Sequence, residues 1–294
     1  MNTYHIPVLL DEVVAGLNIQ VGKKYIDATV GGAGHAWEIV KRGGIVLGID
    51  TDQEAVTFAN EKLKREGETK QNVGMWKVIQ GNFRDIESIA VREGFNQVDG
   101  ILFDLGVSSH QLDEGSRGFS YRFTGAPLDL RLNQGSGEDA KDVLKRLNEE
   151  ELYEIFAKFG EEERSRAIAH ALVRARSVKP IETIGDVVRV IGEIVPDERE
   201  RNGILSRVLQ ALRIVVNDEM EALRAGLAGA QHLLANGGRL VVVSFHSLED
   251  RVVKQFLAGE HWQPITKKPI IADYKEIYRN RRSRSAKLRI AVKI

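Results

Sequence analysis

Short apolar runs separated by helical stretches organise the first hundred residues. Each run has the length of a buried strand and alternates little between apolar and polar positions, which is typical of a sheet covered on both faces. The runs are KYIDATV (24–30), GGIVLGID (43–50), MWKVIQGNF (75–83) and VDGILFDLG (98–106). HAWEIVKR (35–42) and QEAVTFANEKLKRE (53–66) have helical periodicity. This alternation predicts an α/β fold with a mostly parallel sheet and helices on both faces.

The alternation stops after the fourth run and resumes near the end of the chain. Residues 110–135 are loop-like, residues 138–200 are charged and helical, and residues 204–235 have the pattern of one long helix. Asn236-Gly237-Gly238 then resembles a helix C-cap, and Leu240–Val243 predicts another strand.

We therefore expect an inserted domain rather than two domains in tandem. The α/β domain would comprise residues 1–110 and 210–294, and the insert, all-helical, residues 111–209. A chain of 294 residues is long enough to bury the cores that this arrangement needs.

The composition narrows the class of protein. Apolar residues make up 43% and charged residues 29% of the chain, which is typical of a soluble globular protein. No apolar run reaches the roughly 18 to 20 residues of a membrane span, and the N-terminus carries acids instead of the basic residues of a secretory signal. The absence of cysteine excludes disulfides and thiolate nucleophiles. We expect a cytoplasmic protein without membrane association.

One stretch is strongly basic, although Lys+Arg and Asp+Glu balance at 42 each. Residues 279–293, RNRRSRSAKLRIAVK, contain seven basic residues and no acid. Such a stretch can form a phosphate-binding surface or an ordinary solvated tail, and charge alone favours neither.

A glycine-rich turn follows the first predicted strand. Gly31, Gly32 and Gly34 precede a helix, where backbone N–H groups can approach a ligand closely. Trp37 stands where a dinucleotide-binding fingerprint has its third glycine, so the turn alone fits a tight strand-to-helix connection equally well. Asp50 ends the second strand, where an acid accepts hydrogen bonds from ribose hydroxyls. Together they favour an adenosine-bearing cofactor, either a nicotinamide dinucleotide or S-adenosylmethionine.

Residues at the later strand ends help to separate these two cofactors. Asp104 ends the fourth strand, where a carboxylate could face a sulfonium and an incoming amine; a helix or turn cap is the alternative. Phe83 follows the third strand and could stack on adenine or belong to the core. Gln111, in the following loop, could bond the cofactor.

The strand after the insert ends in Ser244-Phe245-His246, which we expect at the ligand edge beside Asp104. Taken alone, His246 is more typical of a capped or core histidine. His5, His35 and His246 lie far apart and lack the spacing of metal ligands, so we expect no metal site.

Nine strings, in order along nearly the whole chain, carry a resemblance to a known family. They are GGAGH, GID, GNF, DLGVSSHQLD, RGFSYR, PLDLR, LQALRIVVNDE, SFHSLEDRVVK and RSRSAKLR. The chain resembles the bacterial small-subunit ribosomal RNA methyltransferases that methylate the N4 amine of a cytosine in the decoding region. The opening HIPVLLDEVV (5–14) also resembles that family's N-terminal helix.

The resemblance implies a Rossmann-like methyltransferase domain with a helical, substrate-recognising insert, and S-adenosylmethionine as the cofactor. The positions that match the family's cofactor-binding residues are Ala33, Gly34, His35, Asp50, Phe83, Asp104 and Gln111. It implies catalytic roles for Asp104, as the base that assists the amine, and for His246, in a wall against the flipped-out cytosine. The partner would be small-subunit ribosomal RNA or a 30S-like particle. Whether the RNA is free or assembled, and whether the protein is a monomer or a homodimer, stays open.

The chain departs from the family at three places. Ala33 stands where glycine is common. Gly203-Ile204 and Leu209 replace the usual His-Pro and Phe of the segment that leads into the LQALRI string (209–214), and Arg281 replaces a proline. If residues 203–209 and Arg281 touch RNA, the departures there would alter RNA affinity and leave the cofactor site intact.

Three other functions stay open on the residues alone. A nicotinamide-dependent dehydrogenase would share the glycine turn and Asp50. A methyltransferase acting on another RNA, a protein or a small-molecule amine would share the cofactor. A non-catalytic ribosome-assembly factor would bind RNA and transfer no methyl group.

Overall fold

A computed structural model describes residues 7–68 and 74–294, and the chain forms two compact units. The first comprises residues 1–108 and 220–294, and the second comprises residues 109–219. His5 and Ile6, the first residues of the predicted N-terminal helix, lie outside the described residues.

The first unit holds seven strands and seven helices among its described residues. The strands are β1 Lys24–Asp27, β2 Ile45–Asp50, β3 Trp76–Gln80, β4 Val98–Asp104, β5 Leu234–Ser244, β6 Trp262–Pro264 and β7 Lys287–Lys293. The helices are α1 Leu10–Leu17, α2 Gly34–Lys41, α3 Gln53–Glu68, α4 Ile86–Arg92, α11 Glu219–Leu233, α12 Ser247–Phe256 and α13 Tyr274–Arg279. Short 3₁₀ turns cover Phe83–Asp85 and Arg281–Ser285.

The seven strands form one mostly parallel sheet in the order β3-β2-β1-β4-β5-β7-β6. Strands β1 to β5 run parallel to one another, whereas β7 runs antiparallel to both β5 and β6. The four early strands predicted from the apolar runs are confirmed, and so is the α/β class. The chain crosses from β1 outward to β3 and returns to β4, so the carboxyl ends of β1 and β4 lie side by side at the topological switch point.

Both faces of the sheet are buried, which explains why the strand runs show so little alternation. Successive residues of one strand enter different cores: Ile101 and Phe103 pack in one core and Leu102 in the other. The first core is completed by α4, α11 and α12, and the second by α1, α2 and α3. The sheet is therefore a rigid platform that fixes the residues at its strand ends.

The second unit is helical, and four of its helices begin at side-chain caps. The helices are α5 Ser109–Asp113, α6 Ala140–Arg146, α7 Glu149–Gly160, α8 Ser165–Val178, α9 Ile184–Ile194 and α10 Glu198–Asn217. The four with side-chain caps are α6, α7, α9 and α10. Asn148 and Thr183 each form a reciprocal capping box with the acid three residues later. None of the described helices in either unit is long and apolar enough to cross a membrane.

The long helix predicted over 204–235 is in fact two helices. The break falls at Asp218, which adopts left-handed backbone angles (φ 49°, ψ 42°) between α10 and α11. Asn217 fixes this end of α10, because its amide donates to the Leu130 carbonyl and accepts from Leu132 N–H. Helical periodicity continues across the break, so the pattern alone did not reveal it.

The helix C-cap predicted at Asn236-Gly237-Gly238 is wrong. Helix α11 already ends at Leu233, and the three residues belong to β5. The β4–β5 pairing is irregular there, since Leu234 pairs with Val98 and Arg239 pairs with Gly100. Gly237 has φ 81°, which lets the longer strand bulge outward.

The departures in the segment before LQALRI lie partly in a core. Ile204 and Leu209 are buried in the second unit, so they replace the family's residues at packing positions. Arg207 pairs with buried Glu162 at 2.6 Å, and the Ser206 hydroxyl donates to the Asn202 carbonyl. These contacts give the segment a structural role in the second unit.

The basic C-terminal stretch is not a solvated tail. Its last seven residues form β7, which lies inside the sheet between β5 and β6. The three basic residues of β7 bond within the fold: Lys287 and Arg289 donate to Asp250, and Lys293 donates to the Gln231 and Leu234 carbonyls. Before β7, Arg279, Arg281 and Arg284 are exposed and so are accessible to an external phosphate.

Replacing Arg289 with methionine should lower the free energy of unfolding by about 2 kcal/mol, because it leaves half-buried Asp250 without its closest cation. Burial opposes ionisation, but Arg289 and Lys287 outweigh it and lower the pKa of Asp250. Their contribution is present above the ordinary pKa of 3.8 and is lost as pH falls through the lowered value. Urea unfolding at neutral pH measures the loss. The exposed Arg284→Met is the matched control, and equal stabilities of the two variants would contradict the prediction.

Candidate active site

Three carboxyl groups stand at the carboxyl ends of neighbouring parallel strands. Asp27 ends β1, Asp50 ends β2 and Asp104 ends β4, and the strand order places β1 between the other two. Because parallel strands finish at one edge of the sheet, the three groups share that edge with the glycine turn that follows β1.

The glycine turn is held by contacts within the first unit. Gly31 has φ 47°, and its N–H donates to Asp50 Oδ2 at 2.8 Å. The Gly32 carbonyl accepts from the ammonium of Lys62 on α3 at 2.9 Å. A side chain at position 34 would collide with Pro7, since an added Cβ would lie 2.5 Å from the proline ring. Gly34 is therefore required by packing, whatever it contacts in a ligand.

Ala33 also occupies a position that favours glycine. It is buried and left-handed (φ 53°, ψ 32°) as the N-cap of α2. This conformation costs an L-residue about 1–2 kcal/mol. The tight turn therefore holds an alanine in a conformation that suits glycine better.

Backbone N–H groups hold the Asp50 carboxylate in place, as expected of a group that accepts hydrogen bonds from the hydroxyls of a ligand. Its Oδ1 accepts from Asp52 N–H at 2.9 Å while Oδ2 accepts from Gly31. A carboxylate has about four acceptor positions, so these bonds leave the group able to accept from a ribose hydroxyl as well. Burial raises the pKa of Asp50 to about 6, and the backbone N–H donors limit the increase.

Asp27 is the site residue that the sequence analysis missed. Its side chain is buried, and Oδ1 accepts from Thr29 N–H at 3.3 Å. Burial raises its pKa to about 8, and the nearby charges of Asp104 and Asp50 add to the increase. The signal was present in KYIDATV, where an apolar run ends on an acid just before the glycine turn.

Asp104 is held by groups on two other elements. Its backbone N–H donates to Thr29 Oγ1 at 2.7 Å, which ties the end of β4 to the loop after β1. His35 Nδ1 lies 3.6 Å from Asp104 Oδ2, and both side chains are largely buried. His35 Nε2 lies 3.1 Å from the Val8 carbonyl, and because a carbonyl only accepts, Nε2 carries a proton. The imidazole is thus fixed with Nδ1 facing the carboxylate.

Phe83 and Gln111 have different surroundings from one another. The Phe83 ring packs edge-to-face on Phe103 with centroids 5.7 Å apart, and a Cβ on Gly226 would lie 2.9 Å from it. Phe83 is half-buried, so part of the ring stays accessible at the end of β3. Gln111 is buried on α5, which belongs to the second unit.

Residues at the end of β5 and just after it form contacts within the fold, chiefly at the N-terminus of α12. The Ser244 hydroxyl donates to the Lys287 carbonyl on β7, so it is used between strands. His246 is the N-cap of α12, and its Nδ1 accepts from Glu249 N–H at 3.4 Å. Its Nε2 lies 3.1 Å from Glu249 Oε1, outside hydrogen-bond geometry. Glu249 is buried and accepts from the N–H groups of Phe245 and His246.

The carboxyl groups at the strand ends fit S-adenosylmethionine better than a nicotinamide dinucleotide. A dinucleotide would bring its negative pyrophosphate to the glycine turn, and three acidic side chains end the strands around it. A sulfonium and an ammonium are positive and are attracted to the same carboxyl groups. The fold and this site define a methyltransferase that uses S-adenosylmethionine.

The chain belongs to the MraW methylase family, whose sequence model matches residues 2–294. The recognition and the cofactor predicted from the sequence are thereby confirmed.

Relatives of known name align over nearly the full length of the chain. "Ribosomal RNA small subunit methyltransferase H" from Deinococcus radiodurans is 47% identical over 97% of this chain and 88% of its own. The protein of the same name from Symbiobacterium thermophilum is 41% identical over 100% of this chain and 98% of its own. Among solved structures, an rRNA methylase from Streptococcus thermophilus is 9% identical, with a TM-score of 0.43 over 96% of this chain and 93% of that one.

Proposed function

We propose that this methylase transfers a methyl group from S-adenosylmethionine to the N4 exocyclic amine of a cytosine in the decoding region of small-subunit ribosomal RNA. The observation that carries the proposal is the carboxyl group of Asp104, fixed at the switch point of the sheet where an amine and a sulfonium would meet. The substrate is supported by the name shared by relatives that are 41–47% identical along the whole chain. We place this activity in the cytoplasm.

The amine of cytosine needs help because its lone pair is delocalised into the ring. The cofactor supplies an electrophilic methyl group on a sulfonium. Positioning the amine against it can contribute about 7–11 kcal/mol, and a base that accepts the amine proton typically adds about 10²–10⁴-fold. We assign that base to Asp104. His35 orients its carboxyl, and Thr29 fixes the backbone beneath it.

The cofactor-binding roles inferred from the family resemblance are proposed on the same residues. They are Ala33, Gly34 and His35 in the turn, Asp50 for the ribose, Phe83 for the adenine, and Asp104 and Gln111. We add Asp27, whose buried carboxyl ends the neighbouring strand.

His246 is proposed as a positioning residue in the wall against the target base. Its Nδ1 is already an acceptor in the cap of α12, which argues against a role as the general base. The base must leave its stack or be unpaired to reach the site, as in other enzymes that modify nucleobases. We propose that the helical second unit recognises the surrounding RNA.

Transfer of labelled methyl groups tests the proposal. The protein is incubated with labelled S-adenosylmethionine and either small ribosomal subunits that lack the modification or the free RNA extracted from them. We expect N4-methylcytidine after nuclease digestion of at least one substrate. Label in another nucleoside, in protein or in no product would reject the proposed target. RNA binding without transfer would indicate an assembly factor, and comparison of the two substrates tells free RNA from an assembled particle.

A further inference from the structure

A surface of the first unit combines exposed aromatic rings with exposed cations. It is formed by residues 267–285, which we call the basic–aromatic surface. Its exposed cations are Lys267, Lys268, Lys275, Arg279, Arg281 and Arg284. Its two acids, Asp273 and Glu276, accept hydrogen bonds from the backbone N–H groups of Glu276 and Leu9. The surface is therefore strongly positive although the whole chain is neutral.

Two tyrosines on this surface have side chains that are largely exposed to solvent. Tyr274 is 82% and Tyr278 is 80% exposed, and they lie four residues apart on α13, so the rings stand on one face of the helix. Two other residues anchor the helix, since Ile277 packs on the second core and Glu276 accepts from Leu9 N–H at 2.7 Å. The two rings are thus presented on a fixed support.

The arginines beside the rings are also presented by ordered backbone. Asn280 is buried, and its side chain accepts from Arg282 N–H to begin the 3₁₀ turn Arg281–Ser285. The hydroxyl of buried Ser283 donates to the Asn280 carbonyl at 2.8 Å. Arg281 and Arg284 point outward from this turn, where they are exposed. The turn leads directly into β7 and so is fixed to the sheet.

We propose that the basic–aromatic surface binds single-stranded RNA, with the rings of Tyr274 and Tyr278 stacking on unpaired bases and Arg281 and Arg284 contacting phosphates. This inference rests on the proposed function and extends it by naming a single-stranded segment as the ligand of a defined surface. Stacking rings among cations are the combination that binds unpaired nucleotides without regard to sequence. Paired bases offer no free face to the rings, so the surface distinguishes single strands from duplexes.

Binding of a mixed-sequence single-stranded RNA of about 12 nucleotides, compared with the same RNA in a duplex, tests the proposal. Tyr274→Ala and Tyr278→Ala should each lower single-strand affinity at least about fivefold and leave duplex affinity unchanged. The Tyr→Phe variants should retain binding, whereas Tyr→Leu variants should lose it, because a leucine is apolar but cannot stack.

The salt dependence of the binding constant tests the phosphate contacts. The double variant Arg281→Gln with Arg284→Gln should reduce the slope of log affinity against log salt concentration by about 1.4, and the tyrosine variants should not change it.

Met75→Ala is the matched control, because Met75 is 66% exposed and adjoins β3 at the opposite edge of the sheet. S-adenosylmethionine affinity reports that each variant is folded. Single-strand affinity within twofold of the original in the double tyrosine variant would overturn the proposal. A tyrosine-dependent change in self-association by sedimentation would also overturn it, since that indicates an interface between protein copies. So would single-strand binding retained by the leucine variants, since it would show that the rings do not stack on bases. Failure of the parent protein to methylate small subunits would reject the proposed function alone, because stacking is measured by binding.

Discussion

Replacing Asp104 with asparagine is expected to lower methyl transfer by about 100- to 10,000-fold, which is the usual contribution of a general base. Asparagine keeps the shape of the side chain but cannot accept the amine proton. The backbone N–H that donates to Thr29 is unaffected, so the end of β4 should stay in position. Affinity for S-adenosylmethionine should fall by much less than the transfer rate. Single-turnover transfer with saturating cofactor separates the chemical step from cofactor binding.

Asp99→Asn is the matched control for Asp104→Asn. Asp99 belongs to the same strand but lies near its other end, where it pairs with Lys23 at 3.2 Å and accepts from Lys24 N–H. It should lose little transfer activity. Full transfer activity in Asp104→Asn would remove Asp104 from the proposed mechanism. An equal loss of cofactor affinity and transfer would make it a cofactor-binding residue only.

The strands could be predicted because their signal is local. Runs such as GGIVLGID are apolar at successive positions since β2 is covered on both faces, and the chain length between runs requires a crossover helix. The end of each run also fixed the position of Asp50 and Asp104.

Features that depend on partners distant in sequence could not be predicted in the same way. The basic stretch has the composition of a tail, and only its pairing with β5 and the bond from Arg289 to Asp250 reveal a sheet strand. His246 caps α12 together with Glu249, as is more typical of the residue taken alone, whereas its place in a ligand wall was inferred from the family resemblance and the strand end. Asp27 ends an apolar run just before the glycine turn, but its raised pKa comes from burial and from the charges of Asp104 and Asp50, which are distant in sequence.

Cofactor affinity is expected to rise about tenfold for each pH unit between pH 6 and pH 8, and to level off above pH 8. The pKa of Asp27 is raised from its ordinary 3.8 to about 8, first by burial and then by Asp104 and Asp50, so the free protein holds a proton there at neutral pH. A positively charged ligand favours the ionised carboxyl, so binding must release that proton. Calorimetric titration in buffers of different ionisation enthalpy measures both the affinity and the released protons.

Asp27→Asn should remove most of this pH dependence, because asparagine keeps an oxygen for Thr29 N–H but cannot ionise. The free energy of unfolding of the unliganded protein changes with pH in the opposite direction to cofactor affinity. Between the ordinary pKa of 3.8 and about 8 the unfolded chain has lost the proton that the folded protein keeps, so the unliganded protein becomes less stable as pH rises through this window. The asparagine variant should lose less stability over the same range. A parent protein whose cofactor affinity is flat from pH 6 to pH 8 would show that Asp27 is not coupled to the cofactor's charge.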